Sequence, residues 1–114
     1  MIQMIRITIY KNKSNNNEIV GFISQGHAGY DRSGKDIVCA AASILIINTI
    51  NSIEKFTDVE FDCNSDEKNA KIKFIITKNK NNKEYLVLLK ALELGLTEVA
   101  RDNPKYISIT FEEV

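Results

Sequence analysis

The start of the chain alternates apolar and polar residues with the period of a half-buried strand. Every second residue from Ile5 to Ile9 is isoleucine, and successive side chains of a strand point to opposite faces. A polar loop at residues 11–17 separates this strand from residues 18–25, which are rich in Ile, Val and Phe. The two segments predict a β-hairpin, in which Gly21 marks a bulge or a close approach of backbones.

The same alternation recurs three times in the second half of the chain, at residues 59–63, 70–76 and 107–111. These segments predict a third, a fourth and a last strand. A polar turn at residues 64–69 joins the third strand to the fourth. Cys63 shares the phase of the apolar positions of its strand, so we expect its thiol to be buried in apolar surroundings.

The segment at residues 36–56 has the length of a helix and carries almost no charge. Between Asp36 and Glu54, Cys39 is the only residue with an ionisable side chain. A helix that is apolar nearly all round must be buried on most sides, between a sheet and another helix or at a dimer interface. Several Ser, Asn and Thr residues interrupt the segment, and its length is marginal for a bilayer, so we do not expect it to cross a membrane.

A second helix is predicted at residues 83–101, where apolar residues recur at steps of three and four. Gly95 permits close packing inside this helix, and Pro104 ends it by pushing the preceding residue out of the helical region. The predicted order is therefore ββαββαβ. It indicates a single α+β domain over residues 1–114, in two layers, with both helices on one face of a mixed sheet.

The overall composition is that of an ordinary soluble protein and argues against several function classes. Fifteen basic and fifteen acidic residues cancel, which gives no support for nucleic acid or an anionic membrane as a partner. The two cysteines have neither the spacing of a disulfide framework nor that of a zinc site. The first ten residues form a strand pattern and not a signal peptide. We therefore expect a cytoplasmic protein with free thiols, no cofactor and no metal.

The residues with catalytic chemistry lie between the second strand and the first helix. His27, the only histidine, follows the strand end, and Cys39 stands twelve positions later. We expect Asp36 to cap the helix, which puts Cys39 in the first turn, where unbonded amides and the helix dipole stabilise a thiolate. A nearby imidazole can accept the thiol proton. The pattern predicts a nucleophile and its base, although a cysteine in an apolar helix is usually an inert small side chain.

The residues around this pair resemble the Prp family of ribosomal-processing cysteine proteases. The resemblance is carried by Gly-His-Ala at residues 26–28, the twelve-residue step, and Asp-Ile-Val-Cys at residues 36–39 followed by small residues. Chain length and element order fit as well. The resemblance implies that His27 and Cys39 are the catalytic dyad. It also implies the substrate, the precursor of the twenty-seventh protein of the L series of the large ribosomal subunit, which loses a short N-terminal extension.

Neighbouring residues are expected to support the site or to bind the substrate. The supporting residues are Gly26, Asp36 and Ser43. Ser43 lies one turn beyond Cys39 on the same helical face. The loop at residues 28–35 joins the dyad directly, and its glycines and polar tip are typical of a lid that closes over bound peptide. The lid and binding residues are Gly29, Tyr30 and Gly34. By resemblance, the substrate has an aromatic pair before the cut and a small residue after it, which suits an apolar groove near Cys39.

Two other functions are compatible with the sequence. The first is a non-enzymatic dimeric module that binds ribosomal protein or RNA, with the apolar helix as its interface. The second is a transition-metal site formed by His27, Cys39 and Cys63, whose spacing is not that of zinc. In the protease interpretation we also expect a homodimer, because the two helices offer more apolar surface than one sheet face covers.

Overall fold

A computed structural model of the protein describes residues 4–26, 33–78 and 83–114, which form five strands and two helices. In chain order the elements are β1 Ile5–Asn12, β2 Glu18–Gln25, α1 Ser33–Phe56, β3 Glu60–Asp66, β4 Lys71–Lys78, α2 Glu84–Asp102 and β5 Ile107–Glu113. The α+β class and the order ββαββαβ are therefore confirmed. The polar turn after β3 is shorter than predicted, because β3 continues to Asp66.

The strands form one mixed sheet with the spatial order β3-β4-β2-β1-β5. β5 pairs with β1 in parallel, and the other neighbours are antiparallel. The predicted hairpin of β1 and β2 turns at Asn16 and Asn17, whose φ angles are 56° and 55°. The amide of Glu18 donates to the carbonyl of Asn15 at 3.1 Å. Two successive residues with positive φ make the turn type that matches the twist of a hairpin, and asparagine tolerates that backbone.

Both features predicted for Gly21 are present. The pairing of β1 with β2 shifts register between Tyr10 and Lys11, opposite Gly21 and Ile19, as expected for a bulge. A Cβ atom on Gly21 would overlap the carbonyl oxygen of Phe74 on β4. The glycine therefore lets β2 and β4 approach closely at this point.

The core lies between one face of the sheet and the two helices. On the sheet side, Phe22 and Phe74 stack with ring centroids 5.4 Å apart, and β1 contributes isoleucines at alternate positions. The buried residues of α2 follow steps of three and four, as predicted. They are Tyr85, Leu89, Leu92 and Leu96. Because this single layer of helices covers one face of the sheet, the architecture has the two predicted layers.

α1 buries one face and exposes another, so the prediction that it is buried on most sides is wrong for the single chain. The buried residues are Val38, Ala42, Ile46, Thr49 and Ile53. On another face, Ile37 and Ile44 are 70% and 68% exposed. The physical reason is that the described residues form two layers, and none of their strands or helices covers the outer side of α1. By length and composition alone, Ile37–Phe56 could cross a membrane, a test that core helices of soluble proteins also pass.

Candidate active site

Cys39 lines a cavity of about 210 Å³ between the first half of α1 and the end of the β3–β4 hairpin. The walls are mostly apolar. Their apolar members are Ile5, Ala42, Ile46, Ile47, Ala70 and Ile72. Ser43, predicted to lie near the thiol, lines the same cavity. A concave, largely apolar surface with a few polar groups is the usual form of a ligand site.

The floor of the cavity is a row of residues from three neighbouring strands. Ile72 on β4 pairs with Ser24 on β2 and with Ser65 on β3, and all three line the cavity. Ser24 also pairs with the core residue Ile7, so the row lies on the face of the sheet that the helices cover. The sheet therefore supplies two hydroxyl groups below the thiol.

Gly26 closes one end of the cavity and has a backbone that requires glycine. Its φ angle is +85°, and a Cβ atom there would lie 2.7 Å from the carbonyl oxygen of Met4. Its amide donates to the carbonyl of Ala70 at 2.9 Å, which ties the end of β2 to the β3–β4 turn. Because only glycine takes this conformation without strain, Gly26 fixes the direction in which the chain leaves β2.

Cys39 lies in the second turn of α1. The sequence had indicated the first turn. The helix begins at Ser33, so Asp36 is its fourth residue and cannot be the cap. The amides without a partner in a helix are those of its first four residues. Cys39 is the seventh residue of the helix and lies beyond these four, so the expectation that unbonded amides of the helix start stabilise its thiolate is wrong. Cap residues favour helix starts without fixing them, because earlier residues can also take helical angles.

The predicted lid is only partly described. Gly34 belongs to α1, so the prediction that it lies in the loop is wrong. The reason is that α1 begins at Ser33, before the predicted start at Asp36. His27, Gly29 and Tyr30 lie outside the described residues. Gly26, Cys39 and Ser43 are the predicted site residues that the structure brings together around one cavity.

Cys63 is exposed, so the prediction that it is buried is wrong. Its phase is as expected, because it pairs with the fully buried Phe74. β3 is an edge strand, however, and all of its residues except Phe61 are exposed. The pKa of the Cys63 thiol is raised, first by partial loss of its water shell and then by the charge of Glu54. Both effects disfavour the thiolate.

The cavity also contains charged residues that the sequence did not single out. Asp66, Glu67 and Lys71, at the end of the β3–β4 hairpin, line the wall opposite α1. The sequence presents them as part of a solvated polar turn. Only the pairing of β4 with β2 brings this turn next to Cys39, and such long-range pairing leaves no local signal in the sequence.

A larger cavity of about 610 Å³ lies elsewhere, between the β1–β2 turn and α2. Its charged residues are partly paired with each other: Lys83 contacts Glu18 at 2.9 Å, and Lys11 contacts Glu93 at 3.2 Å. Neither cysteine is among the residues that line it. Its larger volume alone therefore does not make it a better candidate for the active site than the Cys39 cavity.

Within residues 4–26, 33–78 and 83–114, no group of three His, Cys, Asp or Glu residues is arranged to hold a metal ion.

Comparisons with known proteins give one consistent result. The family model described as cysteine protease Prp matches residues 4–108. The ribosomal processing cysteine protease Prp of Staphylococcus aureus is 26% identical over 106 residues, which are 93% of this chain and 99% of that protein.

Two solved structures of the S. aureus protease have the same fold. One holds a covalently linked product peptide, and it is 26% identical with a TM-score of 0.84. The other holds a substrate peptide, and it is 25% identical with a TM-score of 0.85. Each match covers 96% of this chain and 100% of the solved chain.

Proposed function

Since this chain belongs to the cysteine protease Prp family, we propose that it removes an N-terminal extension from a ribosomal protein, with Cys39 as nucleophile and His27 as base. The observation that carries the assignment is the cavity that Cys39 and Gly26 share. His27 directly follows Gly26 in the sequence. The apolar walls suit a peptide substrate with large apolar side chains.

The proposed reaction is acyl transfer in two steps. His27 takes the proton of Cys39, and the thiolate attacks the carbonyl carbon of the scissile bond. The C–N bond breaks as His27 returns the proton to the leaving amine, which leaves a thioester on Cys39. Water, deprotonated by His27, then hydrolyses the thioester and restores the thiol.

We propose the precursor of the twenty-seventh L-series protein as the substrate. Two points favour it: the resemblance at residues 26–28 and 36–39, and the S. aureus relative, which is a ribosomal processing protease. The cytoplasm, where ribosomal proteins are made, is then the place of action. The alternative of a non-enzymatic binding module is wrong, because the family and the relatives are cysteine proteases.

We also propose that the enzyme is a homodimer that forms through the exposed stripe of α1, which consists of Ile37, Ile44 and Ile47. These residues are seven and three positions apart, so they lie along one side of the helix, and each is at least 51% exposed. The helix has no charged side chain between residues 37 and 53. An uncharged apolar stripe of this kind usually marks an interaction site, and a second copy presents the same stripe to it.

The catalytic assignment predicts the behaviour of two variants. Purified protein is incubated with peptides that span the extension and the mature start of the precursor, and the products are read by mass spectrometry. Cys39→Ala should give no cleavage, and His27→Ala should lower turnover by about 10²–10⁴-fold, the usual contribution of a general base. Cys63→Ser serves as the control and should cut normally. Near-normal cleavage by either dyad variant would remove that residue from the mechanism.

A further inference from the structure

The wall of the Cys39 cavity that faces α1 carries charges for which the proposed chemistry has no use. Asp66, Glu67 and Lys71 lie there, at the end of the hairpin formed by β3 and β4. Two carboxylates and one ammonium group leave this wall with a net negative charge. A peptide whose scissile bond reaches the thiol must pass close to these groups.

The two carboxylates do different things. Asp66 accepts a hydrogen bond from the amide of Asn69 at 3.3 Å and another from the side-chain Nδ2 of Asn69 at 2.7 Å. These bonds, with a smaller effect of nearby Lys71, lower the pKa of Asp66. Asp66 therefore shapes the turn and is partly compensated by its neighbours.

Glu67 has an uncompensated charge at the cavity. Its backbone carbonyl accepts a hydrogen bond from the amide of Ala70 at 3.2 Å, which closes the turn. Its side chain makes no ion pair with any of the residues in the described ranges 4–26, 33–78 and 83–114. It is thus the carboxylate on this wall that is available to a ligand.

The position of the turn is fixed by its backbone. Ala70 has a φ angle of 48°, a left-handed conformation that costs a residue with a Cβ atom energy. The carbonyl oxygen of Ala70 accepts a hydrogen bond from the amide nitrogen of Gly26 at 2.9 Å. This bond ties the turn to the end of β2 beside the cavity. Backbone strain of this kind is retained where the surrounding structure holds it in place. Glu67 is therefore held at the cavity edge.

We propose that Glu67 is a specificity residue that selects a positively charged side chain in the peptide substrate. The proposal rests on the proposed protease function and adds a chemical preference to it. The apolar walls favour uncharged side chains, whereas an unpaired carboxylate at the rim favours lysine or arginine. A ribosomal protein is expected to offer such residues, because proteins that bind nucleic acid neutralise phosphates with Lys and Arg.

The test is a set of peptides in which one lysine is moved position by position through an otherwise uncharged cleavable sequence. Alanine and glutamate replace it in matched peptides, and kcat/KM is measured for each. The wild type should prefer lysine over glutamate at one position. Glu67→Gln should reduce this preference by about two- to fivefold, the size expected for one exposed ion pair. Glu67→Lys should reverse its sign.

Glu60→Lys is the matched control, because Glu60 is also exposed and lies on β3 but does not line the cavity. It should keep the preference of the wild type. Added salt should weaken the preference, since exposed charges are screened. A preference that is absent from the wild type, or unchanged by Glu67→Lys, would overturn the proposal.

Binding separates this proposal from the proposed function. The same peptides are bound to the Cys39→Ala variant, where no turnover is needed. If no peptide is cut but lysine at one position strengthens binding through Glu67, the cleavage assignment fails and the selectivity stands. If peptides are cut but neither cleavage nor binding depends on Glu67, the selectivity fails and the protease assignment stands.

Discussion

The two thiols of this protein differ in ways that determine which one reacts first. Partial loss of its water shell, and then the carboxylate of Glu54, raise the pKa of the Cys63 thiol, so its reactive thiolate form is disfavoured at pH 7. Cys39 has the proposed base, His27, twelve residues before it in the chain. A limiting dose of a small alkylating reagent at pH 7 should therefore label Cys39 first and abolish cleavage, although Cys63 is the more exposed cysteine.

The pH dependence of labelling checks whether the raised pKa of Cys63 is the cause of its slower reaction. Below its pKa, Cys63 should be labelled about ten times faster for each pH unit gained, because the thiolate is the reactive form. Glu54→Gln should lower the pKa of Cys63 and speed its labelling at a given pH. Peptide mapping by mass spectrometry reports both sites in one experiment. Labelling of Cys63 ahead of Cys39 at pH 7, with cleavage intact, would contradict the assignment.

At the level of single residues, the sequence predicted type and phase better than environment. The phase of Cys63 followed from local alternation and is confirmed by its pairing with Phe74. The prediction that Cys63 is buried was wrong, because burial depends on which strand lies at the edge of the sheet, and here that strand is β3. Glu67 was missed for the same reason: only the pairing of β4 with β2 brings its turn to the cavity.

The glycines within the elements provide a test of packing. A Cβ atom on Gly21 would overlap the backbone carbonyl of Phe74, which cannot move without the strand, whereas one on Gly95 would meet side-chain atoms of Leu45 at 3.2 Å. Gly21→Ala should therefore lower the free energy of unfolding by about 2–3 kcal/mol or more, as overpacking does. Gly95→Ala should change it by less than about 1 kcal/mol, because better helix propensity offsets a small shift of Leu45.

Denaturant unfolding at one fixed protein concentration measures both changes, since association would otherwise alter the apparent stability. A loss for Gly95→Ala as large as that for Gly21→Ala would mean that Leu45 cannot move. Equal and small losses would mean that β2 and β4 separate easily at this point.

At the level of elements, most of the fold followed from the period of the apolar residues. β2 has the predicted bounds, Glu18–Gln25, and α2 ends at Asp102, just before Asn103 and Pro104. The predicted start of α1, at Asp36, was three residues too late, because a good cap residue does not prevent an earlier start. Cys39 therefore lies in the second turn and not in the first. The argument that the helix start stabilises its thiolate no longer applies.

At the level of the whole molecule, the exposed stripe of α1 predicts a dimer that one charge should disrupt. Light scattering of the wild type at micromolar concentration should give twice the mass of one chain. Ile44→Glu places a carboxylate on the stripe, and the two-fold axis of a dimer would bring two of them into the interface. The dissociation constant should then rise by about thirtyfold or more, as it does when a central interface residue is lost.

Val114→Glu is the matched control for this experiment, because Val114 is 61% exposed, close to the 68% of Ile44, but lies at the C-terminus. It adds the same charge and should leave the mass at two chains.

Ile47 lines the Cys39 cavity as well as the stripe, so a partner copy on the stripe borders the proposed substrate site. Loss of the dimer in Ile44→Glu should therefore raise KM for the precursor peptide more than it lowers kcat. A wild type that is a monomer at micromolar concentration, or an Ile44→Glu variant that stays a dimer, would show that α1 is not the interface.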